Sequence, residues 1–175
     1  MVWMERRTLM FSLGKSKITD SSGTNLIEFA ALLPFLLLVL LGALEMGRVF
    51  FIRIALTNAA QAGVQYGAQS TGTAEDHAAI ASAAEADFNG AFGLTLGFKQ
   101  PDEPQTPCYY YACWDGTTES NQTACVQSPI ALDCGSNRLV QFVRVDTTVQ
   151  FESLFHYPGF PPSFTMNGHA VMRVP

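Results

Sequence analysis

Two sets of residues in this chain carry chemistry by their type and spacing. One is Gly23, Thr24 and Glu28 at the head of an apolar run; the other is the four cysteines Cys108, Cys113, Cys125 and Cys134. Cutting the chain after Gly23 would give Thr24 a new α-amino group, with Glu28 the fifth residue of the product. An ammonium and a carboxylate four residues apart, or on neighbouring subunits, offset each other's desolvation. The need is real because residues 26–44 contain a single charged side chain, Glu28. A lone carboxylate would cost roughly 2.5–3.5 kcal/mol at mid-membrane, so it calls for a partner.

The cysteines are even in number and lie on the side of the apolar run that the charge pattern places outside the membrane. Two disulfides are the reading this supports, with all three connectivities open. The alternative is a four-cysteine zinc site. The gaps of four, eleven and eight residues contain no Cys-x-x-Cys, which argues against a metal. The three histidines, His77, His156 and His169, fall in a helix start, a turn and a strand, without metal-ligand spacing. No Gly-rich phosphate loop, Gly-x-Ser-x-Gly elbow or His-Glu-x-x-His occurs. Several Asp and Glu residues fall on expected solvent faces, where solvated charge is the default. The sequence therefore reads as no enzyme, with no catalytic residues, no metal and no cofactor.

The elements that must position these residues begin with a helix. Residues 26–44, at about 1.5 Å per residue, come close to the roughly 30 Å of a bilayer's hydrocarbon. Up to Gly23 the chain has four Lys/Arg (Arg6, Arg7, Lys15, Lys17) against Glu5 and Asp20; the rest holds 6 basic and 13 acidic groups. A basic leader before an apolar run places the N-terminus in the cytoplasm and the acidic body in the periplasm or outside the cell, in a single pass through the inner membrane. The acidic balance also excludes nucleic acid as a partner. A cleaved secretory signal fits poorly, because the apolar run is too long and Ala60-Gln61-Ala62 lies too far downstream.

Pro34 inside the run is tolerable in a membrane, where neighbouring helices satisfy the freed backbone groups; it is read as a packing bend. The helix should continue to about residue 69, some 65 Å in all, with Glu45, Arg48 and Arg53 reaching toward the headgroups. Ala55, Ala59, Gly63 and Gly67, spaced by four, lie on one face suited to close helix packing, against helices of other chains or against the chain's own sheet. Residues 70–72 break the helix, and Thr73 is read as the cap of a second helix that ends at Asn89-Gly90.

Beyond this the period falls to two. Residues 92–98, 143–152 and 164–173 alternate apolar with polar or small residues and read as antiparallel strands covered on one side by helix. Residues 157–162 form a turn-rich connection between the last two. Residues 99–137 hold Pro101, Pro104, Pro107, the aromatics Tyr109, Tyr110, Tyr111 and Trp114, and the four cysteines; they read as a disulfide-tied loop whose aromatics pack or bind. Asn121-Gln122-Thr123 matches a glycosylation triplet. The fold class is α+β: a long N-terminal transmembrane helix, a short second helix and a small antiparallel sheet with that loop. The expected organisation is a basic leader (1–23), a transmembrane and extended helix (24–70) and an extracytoplasmic domain (71–175).

Gly23 followed five residues on by Glu28, behind a basic leader and before a hydrophobic helix, resembles the type IV prepilin processing site. Glu28-Phe29-Ala30-Ala31-Leu32-Leu33-Pro34, the Leu-rich run and Glu45-Met46-Gly47-Arg48 resemble the TadE-like minor pseudopilins of the tight-adherence (Flp) pilus system. Thr24 stands where classical type IV pilins usually have Phe or Met. The resemblance implies cleavage between Gly23 and Thr24 by a prepilin peptidase. It also implies other pilins or pseudopilins and a pilus assembly platform as partners, and a role in initiating or assembling an adhesive filament, with incorporation into that filament left open. The competing reading is an uncleaved, single-pass membrane-anchored binding protein.

Overall fold

The computed structural model describes residues 22–98, 106–125, 132–155 and 161–175, with side chains from residue 26 onward. Residues 1–21 of the basic leader, Pro101, Pro104, His156 and the turn residues 157–160 lie outside the described residues. The chain divides into two compact units, Met1–Leu41 and Gly42–Pro175.

The first unit, where described, is the N-terminal part of helix α1, Ser22–Gly67. Pro34 lies within α1 without ending it. From Leu26 to Leu40 the large apolar side chains are exposed. Leu, Ile, Phe and Ala with no polar stripe give a helix that is apolar all round, which is stable in hydrocarbon and unstable in water. Among the described residues this is one helix long and apolar enough to cross a membrane, with a best-window mean hydropathy of 2.5.

The second unit takes up the rest of α1 and packs it on a sheet. Ile52, Leu56, Ala59, Ala60 and Val64, three or four apart, form the buried stripe. Two short helices follow, α2 (Thr71–Glu75) and α3 (His77–Phe88). The cap expected at Thr73 is instead Ser70, whose hydroxyl accepts from the Thr73 N–H while the Thr73 hydroxyl accepts from the Ser70 N–H. Asp76 interrupts the helix and caps α3 through the Ala79 N–H. Two capping sites within seven residues, a reciprocal one at Ser70 and a single side-chain cap at Asp76, make two helices where one was expected. Asn89 in the left-handed region ends α3, as expected of Asn-Gly.

Four strands, β1 (Cys108–Trp114), β2 (Glu119–Ser120), β3 (Arg138–Glu152) and β4 (Ser163–Arg173), form an antiparallel sheet in the order β2-β1-β3-β4. The alternations read at 143–152 and 164–173 are the cores of β3 and β4. The strand expected at residues 92–98 does not form. Gly90, Phe92 and Gly93 all take positive φ, so a 3-10 turn occupies Ala91–Gly93, and only Gly97 pairs, with Thr148. The segment read as a loop instead contains β1 and β2, joined by a turn in which the Asp115 carboxylate accepts from the backbone N–H groups and hydroxyls of Thr118 and Thr117. Those bonds hold its carboxyl well below the usual carboxylate range.

Two core clusters lie between helices and sheet. Ile52, Leu56, Ala59, Ala84, Phe88, Val149, Phe151 and Met166 form one, and Ala60, Val64, Ala74, Ile80, Val143, Val145 and Val174 the other. A third, Tyr110, Ala112 and Phe142, lies on the opposite face of the sheet. The architecture is α+β, with the sheet covered by helix on one face and by the cysteine-bearing segment on part of the other.

Candidate functional site

Gly23, Thr24 and Glu28 fall in the first two turns of α1. The bond between Gly23 and Thr24 is therefore in the turn whose N–H groups have no partner within the helix, the turn that opens most readily. Glu28 is exposed, as are Leu26, Ile27 and Phe29 around it. Pro34 is likewise exposed.

The stripe Ala55, Ala59, Gly63 and Gly67 of α1 belongs to the second unit. Ala59 is fully buried and Ala55 partly so. A Cβ added at Gly63 would lie 3.2 Å from Val145 Cγ2 and 3.4 Å from the Ala84 Cβ. At Gly67 it would lie 2.9 Å from both Ile80 Cδ1 and Val143 Cγ1. This stripe faces the chain's own sheet and α3. A glycine of the sheet meets it from the other side: Gly168 on β4 lies against the backbone of Leu56, and beside it Thr147 donates its hydroxyl to the Leu56 carbonyl at 3.0 Å.

Glu45 departs from expectation. It does not reach out toward headgroups; it is buried, with one carboxylate oxygen accepting the Leu154 N–H at 2.9 Å and the other Arg48 Nη1 at 3.1 Å. Arg48 is held in turn over the rings of Phe151, at 5.3 Å, and Phe92, at 5.6 Å. The reason is a strand-end amide brought to the helix, which a carboxylate satisfies better than water can in a partly closed space. Glu45→Ala should lower the stability of this unit by about 1–3 kcal/mol, the cost of a stranded buried donor, while Glu45→Gln keeps an acceptor and should lose less. Thermal unfolding of the three proteins in one detergent checks the order; an alanine variant as stable as the parent would rule it out.

The cysteines are paired Cys108–Cys125 and Cys113–Cys134. The aromatics among them pack. Tyr110 stacks on Phe142 with centroids 5.5 Å apart and donates its hydroxyl to Glu119 at 2.9 Å. Trp114 lies 5.9 Å from the same ring, and Tyr109 stacks with His77 and meets Tyr111 edge-on.

Sequence reasoning also missed a buried charge. Asp146, placed by alternation on a solvent face, is fully buried, accepting from Arg144 Nε at 2.7 Å and lying 2.6 Å from His169 Nδ1 across the β3–β4 pair. The register of the two strands puts these groups together, and the Thr106 hydroxyl donates to the Asp146 carbonyl. Gln141, at the far end of β3, is buried with neither amide atom bonded to protein. It lines a cleft of about 400 Å³ with Thr71, Tyr111 and the C-terminal residues. Among the described residues no group of three or more His, Cys, Asp or Glu is placed to hold a metal.

Comparison with curated proteins and with solved structures found no match for the chain. A family comparison did: residues 23–65, the stretch carrying Gly23, Thr24, Glu28, the exposed apolar helix, Glu45 and Ala55, Ala59 and Gly63 of the small-residue stripe, match the family described as TadE-like protein, and this segment of the chain is similar to that family.

Proposed function

We propose that the chain is a TadE-like minor pilin or pseudopilin that acts in assembling or initiating an adhesive Flp/Tad-type pilus. The observation that carries this is the family match over residues 23–65, which suggests a Tad pilus-associated protein with an N-terminal apolar helix. That helix and the family fit a membrane-anchored protein. In this reading residues 1–23 are a cytoplasmic leader removed by prepilin peptidase, residues 24–70 cross the inner membrane and extend beyond it, and residues 71–175 form the extracytoplasmic domain. The Thr24 ammonium created by cleavage is neutralised by Glu28, either in the same chain or in a neighbouring pilin helix. Two disulfides and an acidic body suit an oxidising space outside the cytoplasm. The work is done by packing and charge pairing and not by catalysis.

The mature N-terminus tests this. Mass spectrometry of the membrane-extracted protein should give a chain beginning at Thr24 when the prepilin peptidase is present and at Met1 when it is deleted. A chain beginning at Met1 in both strains would favour the uncleaved, membrane-anchored binding protein. Glu28→Ala should leave an unpaired ammonium in an apolar bundle, with a penalty on the order of 2.5–3.5 kcal/mol per subunit if fully immersed. Surface filaments counted by electron microscopy should then fall to a small fraction of the parent, and normal piliation would remove Glu28 from this role.

A further inference from the structure

Ten large apolar side chains are exposed among the described residues of the second unit, and eight of them gather at one end: Leu44, Met46, Phe50, Phe51, Ile54, Phe92, Leu154 and Phe155. An exposed apolar cluster of this size is the informative kind of exposure and marks a contact. Its arrangement says with what. Ile52 and Leu56 are buried toward the sheet, so Phe50, Phe51 and Ile54, at 100° per residue, point the other way. Leu154 is on the sheet side, tied by its N–H to Glu45, and Phe92 lies at the flank, edge-on to Phe51 at 5.3 Å. The exposed apolar groups thus surround α1. A docked helix or domain covers one side; a membrane surrounds its helix on every side.

Charge agrees. Between residues 44 and 54 the single carboxylate, Glu45, is turned inward and engages Arg48, which leaves Arg53 as the exposed cation. A cation on a long stem beside apolar surface suits phosphate headgroups. Length agrees too. The 29 residues from 26 to 54 rise about 44 Å as helix, matching the roughly 40–45 Å of a bilayer with its headgroup layers rather than the hydrocarbon alone.

We propose that Phe92, Leu154 and Phe155, with residues 44–54 of α1, form an apolar collar that seats the second unit in the outer headgroup and upper acyl layer of a phospholipid bilayer. This rests on the membrane-anchored reading above. It gives the exposed side chains of Phe92, Leu154 and Phe155 a role other than core packing.

The test uses the full chain in phosphatidylethanolamine/phosphatidylglycerol vesicles doped with a phosphatidylcholine carrying a diazirine near the top of one acyl chain. After irradiation, adducts are mapped by mass spectrometry. Peptides bearing Phe92 and Leu154–Phe155 should label several-fold above those bearing Leu139 and Met172, which are apolar and exposed elsewhere, and should label alongside the peptide spanning residues 26–44. Replacing Leu154 and Phe155 together by Ser, both exposed, should reduce labelling at that connection and spare the spanning peptide. Labelling confined to residues 26–44 would overturn the collar while leaving the anchor intact, and would assign this surface to a protein neighbour. Labelling of neither would overturn the collar and the anchor together.

Discussion

Gly168→Ala should destabilise the second unit strongly, by about 3 kcal/mol. A methyl group is the smallest possible addition, and inside a strand alanine would ordinarily gain a few tenths of a kcal/mol by restricting the unfolded chain. Here the methyl has nowhere to go. A Cβ at position 168 would lie 2.6 Å from both the carbonyl carbon and the oxygen of Leu56, and equally close to Thr147 Oγ1. The first two are helix backbone and cannot rotate away. The third is fixed by its own bond to that same carbonyl. Relief requires α1 to lift from the sheet along the contact that holds Ile52, Leu56, Ala59, Val149, Phe151 and Met166 together. Overpacking of this kind costs about 3 kcal/mol or more when backbone must move, roughly 10 °C in melting temperature for a unit of this size. Two neighbouring glycines grade the claim. At Gly67 the added methyl meets side-chain tips at 2.9 Å, which can shift, and at Gly63 it meets them at 3.2 Å and beyond. The expected order of loss is Gly168, then Gly67, then Gly63, read from thermal melts followed by circular dichroism. A Gly168→Ala protein melting with the parent would mean that the helix does not lie this close to the sheet.

That close approach was only half visible in the sequence. The four-residue spacing of Ala55, Ala59, Gly63 and Gly67 marks a face made for intimate packing, but the spacing is the same whether the neighbour is another chain or β4. Gly168 sits in a clean alternation and looks like any inward position. The long elements were legible because one physical requirement governed each: an apolar run with a single charge for α1, and one wet and one dry face for β3 and β4. β1 was not, because Cys108-Tyr109-Tyr110-Tyr111-Ala112-Cys113-Trp114 has no polar face to alternate. Tyr109 and Val143 share the helix side while Tyr110 and Phe142 share the other, so the strand is covered on both and reads as a continuous apolar run. Residues 92–98 failed in the opposite direction. Their period was right, but positive φ at Asn89, Gly90, Phe92 and Gly93 turns the chain, and of these residues Gly97 alone pairs, with Thr148. Glu45 and Asp146 were read as solvated charges. Their partners, the Leu154 amide 109 positions away and His169 on the next strand, come from topology, which local pattern does not encode.

The two disulfides should be worth more to this unit than any single core residue other than Gly168, and for the same reason that β1 was hard to read. Cys108 and Cys113 are five apart on one strand, so they point to opposite faces of the sheet. Their partners, Cys125 and Cys134, lie in the chain that follows, and the two closed loops interlock. That chain is thereby tied to both faces of β1 at once. It has little core of its own beyond Tyr110, Ala112 and Phe142 with their neighbours. Closing loops of 17 and 21 residues removes unfolded-state entropy equivalent to about 3 kcal/mol each on the chain-entropy account. Cys113→Ser with Cys134→Ser should therefore lower stability by about 3 kcal/mol. Removing all four cysteines should cost less than twice that, because each loop already restricts the other. Melting the parent with and without a strong reductant gives the same comparison without mutation. A melt that reductant leaves in place would show that β1 and its cover hold by packing alone. If the melt collapses, the unit depends on an oxidising compartment to fold.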